Sequence, residues 1–201
     1  SNKFSDMLGE AIYDVPGLAG MPHLYNNTGV AYLMTGNPDK ALEMFNHSDE
    51  YSQTSDRQVQ NYAMLCNELI TKSYYGDNIQ YTEILSTIKK IYDGMVKNGQ
   101  LPFISSRYIM NLLIIAAKCN KEWGEEILNE NDVVNLINNG LSSNAMGSGQ
   151  LLLQLDYFDK EFGFDLKGRC NFPYDVTVVT GRRKDFIEQT GLNPVYFFTW
   201  L

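Results

Sequence analysis

The chain has 201 residues, 22.9 kDa, a formal net charge of -8 and a sequence pI near 4.7. Hydrophobic residues make up 44% and charged residues 20%, which excludes a disordered chain and suits one domain or one compact stack of repeats. The charge argues against a broad electrostatic grip on nucleic acid or on an anionic membrane, and no apolar run reaches the roughly 20 residues needed to cross a bilayer. Ser1 and Asn2 read as a tag remnant, and a further expectation is that the chain is a segment of a longer protein. Phe4, Met7, Leu8, Ala11 and Ile12 recur at helical spacing and predict a first helix, stopped by Pro16, Gly17, Gly20 and Pro22.

Residues 23–50 carry the clearest pattern. Tyr25, Gly29 and Tyr32 are spaced by one helical turn each, so they share a face. Gly36-Asn37-Pro38 predicts a tight turn, with Asn37 as N-cap and Pro38 at the first helical position, where no N–H is needed. Ala41, Leu42, Met44 and Phe45 line a second helix. The small residues at 29 and 41 predict a close helix crossing, with Tyr25, Tyr32 and Phe45 filling the space around it.

This segment resembles a tetratricopeptide repeat: Tyr25, Gly29, Tyr32, Gly36, Ala41 and Phe45 match the family pattern in order and spacing. Thr28 stands where the family favours leucine, Ser48 where it favours alanine, and Pro38 where tyrosine is common. One repeat cannot bury its own apolar face, so neighbours are expected. Thirty-four residues on, Val59, Ala63 and Cys66 occupy the matching places.

After a Gly76-Asp77-Asn78 turn, Ile84, Leu85, Ile88, Ile91, Tyr92 and Met95 form an apolar stripe. A break at Asn98–Pro102 follows. Ser105 or Ser106 is then the expected cap of a helix whose Ile109, Leu112, Leu113, Ala116 and Ala117 run nearly all round it, which predicts a central, buried helix. Residues 122–129 predict a short amphipathic helix. Asp132 is the expected cap of the next helix, with Gly140 as its C-cap. Residues 142–149 predict a small-residue loop, before a last helix running to about 162.

From residue 164 on, five basic residues face four acidic ones, a net of +1, so residues 1–163 carry -9. Tyr174–Thr180 alternates and is β-branched, and Val195–Leu201 follows Asn193-Pro194; both predict strands, with a short helix between them. The expected fold is mainly α: an antiparallel helical-hairpin solenoid of tetratricopeptide type over 1–163. A small mixed α/β cap over 164–201 is expected to shield its open end.

Few residues offer chemistry. His23 and His47 lie far apart and form no metal or catalytic pattern, the pairs Asp49-Glu50 and Glu125-Glu126 read as helix surface, and no nucleophile or phosphate-loop motif is present. No metal, cofactor or catalytic residue is expected. Cys66, Cys119 and Cys170 are spaced by 53 and 51 residues, which suits buried thiols in a reducing cytoplasm; one disulfide with one free thiol is the alternative. Arg182 and Arg183, after Gly181, form a basic cluster able to hold an anion.

The resemblance implies a concave face that contacts a protein or peptide segment. On it would lie Asn26 and Val30, then Gln60, Asn61 and Met64, with Arg57 one turn before Asn61. Arg107 and Asn111 repeat that arginine-to-asparagine spacing. Asparagine can bond a peptide backbone both ways, and arginine can fork onto a carboxylate. The lysines of the family's usual carboxylate clamp have no counterpart at the matching positions. The expected function is therefore a non-catalytic peptide-binding scaffold in the cytoplasm, with no nucleic-acid or membrane partner; the alternative is a ligand- or peptide-sensing domain of a larger bacterial protein.

Overall fold

The computed structural model describes Met7 and residues 22–52, 59–75, 78–97, 102–130, 132–143 and 148–170. Among these residues the fold is mainly helical, with no strand. Apart from Met7, which is helical, the helix expected before Pro16 lies outside the described residues, as do both strand candidates, the helix between them and the part of the expected cap beyond residue 170. The described helices fall into two compact units, one ending at Asn78 and one beginning at Ile79.

The first unit holds α1 (Pro22–Met34), α2 (Pro38–Ser52) and α3 (Val59–Tyr75). The turn between α1 and α2 is as the sequence requires. Gly36 adopts a φ of 80°, and the Gly36 and Asn37 amides donate to the Leu33 and Tyr32 carbonyls at 3.1 and 2.9 Å. These two bonds satisfy carbonyls that the end of α1 would otherwise orphan, and only a residue without a Cβ takes that φ cheaply. Asn37 precedes α2 and its carbonyl accepts from Ala41, while its side-chain amide donates back to Thr35 Oγ1 at 3.2 Å.

The hairpin closes around Gly29. A Cβ there would lie 2.5 Å from Phe45 Cε1, so the phenyl ring occupies the space a larger residue would fill. Tyr25, Tyr32, Leu33, Ala41, Met44 and Phe45 form one buried cluster, joined from α3 by Met64. Ala63, the small residue of the second unit of the pattern, is fully buried as well.

The second unit is built round α5 (Pro102–Cys119), against which pack α4 (Tyr81–Ile91) with the π-helical turn Tyr92–Val96 that continues it, α6 (Lys121–Asn129), α7 (Val133–Ser143) and α8 (Ser148–Phe162). Every residue from Ser105 to Ala117 is buried, which the all-round apolar pattern had implied. Ser105 and Ser106 do not cap this helix, because Pro102 opens it one turn earlier. Nor does Gly140 end α7: it sits inside that helix, buried, where a Cβ would come within 2.6 Å of Ser106 Cβ. Gly124 of α6 does the same against Ala117, at 2.8 Å. Both glycines mark close crossings with α5 and not a chain reversal.

The helix ends follow ordinary capping chemistry. Asn120 accepts from the Glu122 amide at 2.9 Å and so caps α6. Asp132 precedes α7, its carbonyl accepting from Leu136 at 2.8 Å. The loop expected over 142–149 is shorter, since α7 reaches Ser143 and α8 begins at Ser148. Gly163, with a φ of 73°, ends α8. The four-residue helix α9 (Leu166–Arg169) is then held against α8 by Asp159, whose two carboxylate oxygens accept from the Leu166 and Lys167 amides at 2.8 Å each.

Candidate functional site

The residues that the resemblance placed on an open face are largely interior. Asn26 is fully buried and accepts a 2.9 Å hydrogen bond from Asn67 of α3, while Val30 and Met64 belong to the apolar cluster. Asn111 is fully buried, accepting from Gln154 of α8 at 2.7 Å, and Arg107 is 9% exposed. The physical reason is the number of neighbours. Helix α1 packs on both α2 and α3, and α5 is enclosed by four helices and the π-helical turn, so neither keeps a free face at these positions. Gln60 and Asn61 lie on α3, but their side chains are outside the described residues, as are Arg57, Arg182 and Arg183 altogether. His47 lies within α2, its ring 5.6 Å from that of Tyr25. Cys66 and Cys170 are buried as expected, Cys119 is exposed, and all three are free thiols.

An open cleft lies elsewhere, in the second unit, with a cavity volume of about 500 Å³. One wall comes from α4. Its Ile84, Thr87, Ile88 and Ile91 point inward, and Leu85 and Lys89 stand toward the cleft. The helix then widens. The Lys97 amide reaches the Tyr92 carbonyl, five residues back, at 3.0 Å. The wider turn carries Tyr92, Asp93 and Lys97 into the lining, and such π turns recur at functional sites.

The opposite wall is the junction of α6 and α7. Ile127 supplies an apolar surface near the end of α6, and Glu130 stops that helix in an extended conformation, with φ -65° and ψ 135°. Asp132 and Val133 follow, at the start of α7. The floor is thus apolar and the rim is charged, the usual division of labour in a binding pocket.

Tyr92 lines this cleft. Its hydroxyl oxygen is buried and has no hydrogen-bond partner among the described residues. Burial, with the charges of Asp132 and Glu130, pushes the phenol up to about 12, so it is a neutral hydroxyl throughout the physiological range. Nearby, Tyr81 stacks on Trp123 with ring centroids 5.1 Å apart. Burial, its hydrogen bond to Glu126 and the charges of Glu126 and Glu130 push that phenol up to about 12 too.

Among the cations, Lys97 is engaged by Asp93, whose carboxyl it holds below the ordinary range through a hydrogen bond. Glu130 and Asp132 have no ion-pair partner among the described residues. Nor do His, Cys, Asp and Glu gather anywhere among the described residues in a group of three able to hold a metal ion.

Sequence reasoning passed over this cleft. Ile88 and Tyr92 read as core stripe and Asp132 as a helix cap, while nothing marked out Glu130. The one signal available was a tyrosine at the end of the α4 stripe with Asp93-Gly94 directly after it, where regular helix is hardest to hold.

Compared with protein-family models, with curated proteins and with solved structures, the chain finds no match in any of the three. No helix among the described residues is long and apolar enough to cross a membrane.

Proposed function

We propose that the chain is a non-catalytic recognition module, built on a tetratricopeptide-like hairpin, that binds a segment of another protein. The observation that carries this reading is the cleft of α4, α6 and α7: about 500 Å³, apolar at its base, rimmed by charges, with a buried hydroxyl that has no hydrogen-bond partner among the described residues. A volume of that size accepts one or two anchoring side chains. The lining groups suit recognition better than chemistry, because a phenol that ionises at about 12 is a hydrogen-bonding group and not a base at neutral pH.

The hairpin resemblance is supported by the Gly29–Phe45 contact and by the bonded turn at Gly36. The contact residues differ from those the family suggests, since Asn26, Val30, Arg107 and Asn111 are committed to the interior.

Selection of a displayed random-peptide library on the immobilised protein tests the proposal. Enriched peptides should bind in solution and shift the amide resonances of α4 and α6. Their affinity should fall about tenfold or more in Leu85→Trp, which fills the cleft from a half-buried position. Peptides that bind both proteins equally, and shift only resonances outside these helices, would remove the cleft from the proposal; the absence of any enriched sequence would overturn it.

A further inference from the structure

We propose that the segment taken by this cleft presents a basic side chain, whose cation sits among Glu130, Asp132 and the Tyr92 hydroxyl while its hydrocarbon stem lies on Ile88 and Ile127. This deepens the recognition reading and rests on it.

Three observations converge. First, the charges at the cleft do not balance. Lys97 and Asp93 are spent on each other, and what remains is Lys89 against Glu130 and Asp132, two carboxylates without an ion-pair partner among the described residues. Glu126, bonded to Tyr81, adds a further negative charge beside Glu130. An anionic or carboxylate-bearing ligand would meet repulsion here; a cation is drawn in.

Second, the Tyr92 hydroxyl is buried without a partner among the described residues, and buried hydroxyls are nearly always bonded. A phenol oxygen that feels the charges of two carboxylates can accept from a donor that the carboxylates also attract. An ammonium group carries three N–H donors and no acceptor, and the cleft offers three acceptor groups round one cavity. A neutral amide or hydroxyl would satisfy Tyr92 and leave both carboxylates unmatched.

Third, the floor is apolar. Ile127 is 2% exposed and Ile88 9%, yet both line the cleft. The four-carbon stem of lysine or the three-carbon stem of arginine can lie along such a surface with its charged head at the polar rim. A free inorganic cation would gain nothing from that floor.

Fluorescence anisotropy with three labelled, N-acetylated hexapeptides tests this. All alternate leucine with a second residue, which is lysine in one, glutamine in another and glutamate in the third. The lysine peptide should bind about tenfold tighter than the glutamine peptide, as two partly exposed charge contacts allow, and the glutamate peptide should be the weakest. In Glu130→Gln with Asp132→Asn the lysine preference should vanish while the glutamine peptide binds as before. Tyr92→Phe should cut the lysine peptide's affinity several-fold, the glutamine peptide's by less, and leave the glutamate peptide unchanged.

Raised salt should weaken only the lysine peptide. Equal binding of lysine and glutamine peptides would overturn this inference and leave the recognition reading standing. Binding of none of the three, with no enriched library peptide, would overturn both. Displacement of the lysine peptide by hexylamine at an equal concentration would make the occupant a free amine and overturn the peptide assignment.

Discussion

Neighbouring residues on α1 carry opposite stresses. At Gly29 the packing has no slack, because the Phe45 ring stands 2.5 Å from where a Cβ would be and is itself fully buried. Gly29→Leu is expected to destabilise the first unit by about 3 kcal/mol, the upper range for overpacking, with only about 1 kcal/mol returned by better helix propensity. At Thr28 the stress is polar. Its hydroxyl is buried with no hydrogen-bond partner among the described residues. Thr28→Val keeps the shape and removes an unmet polar atom, so it should stabilise by about 1 kcal/mol. Thermal unfolding of the two variants should therefore shift in opposite directions. A stabilised Gly29→Leu would mean that α1 and α2 do not cross at Gly29, and a destabilised Thr28→Val would mean that the hydroxyl has a partner after all.

Between elements, small numbers of polar contacts decide whether a helix end is held. Asp159 clamps the start of α9 through two amides, and Asp156 engages Lys167 alongside it. Behind this clamp lies Cys170, a buried thiol pushed up to about 11, chiefly by burial and then by the Asp159 charge. Asp159→Ala removes both amide acceptors and that charge, at a local cost of about 2–3 kcal/mol. Exposure of the thiol and relief of its pKa both favour the reactive thiolate. Alkylation followed by peptide mapping should then find Cys170 modified about tenfold faster than in the native chain, with the exposed Cys119 modified in both and the fully buried Cys66 in neither. An unreactive Cys170 in the variant would show that the clamp is dispensable. Elements of this kind were legible in the sequence wherever a local rule governs them. The turn at Gly36, the stripe of α4 and the enclosure of α5 each follow from spacing or from one residue's backbone preference. What escaped depends on partners far away in the chain. Asn26 read as surface because its amide partner, Asn67, is 41 residues on, and Asn111 likewise meets Gln154 across 43 residues. Gly140 read as a stop signal, since a helix-terminating glycine and a glycine at a helix crossing are the same letter until the crossing helix is known. The cleft escaped for the same reason, being assembled from one helix flank and two helix ends.

For the whole molecule the governing quantity is the charge of -8. That charge keeps copies apart at neutral pH, and it vanishes near pH 4.7, where apolar surface such as the half-exposed Tyr75 is no longer shielded by mutual repulsion. Solubility should therefore pass through a minimum there. The structure predicts that the precipitate is native. Burial alone would raise the Asp156 carboxyl, but hydrogen bonds from Lys160 and Lys167 outweigh it and hold that group below its ordinary 3.8. A depressed folded-state value contributes stability that is present above the ordinary range and is lost only as pH falls through the folded value. At pH 4.7 Asp156 is thus still ionised, and its contact with Lys167 persists. Turbidity measured across the acid range should peak near pH 4.7, and material returned to neutral pH should recover its full helical circular dichroism and its original pattern of thiol reactivity. Loss of helix should begin only further down, below about pH 3.8, where this carboxylate and the Lys97-bonded Asp93 take up protons. If helix were instead lost together with solubility at pH 4.7, these depressed carboxylates would not be what keeps the fold closed in acid, and the anchoring of α9 to α8 through Asp156 would have to be set aside.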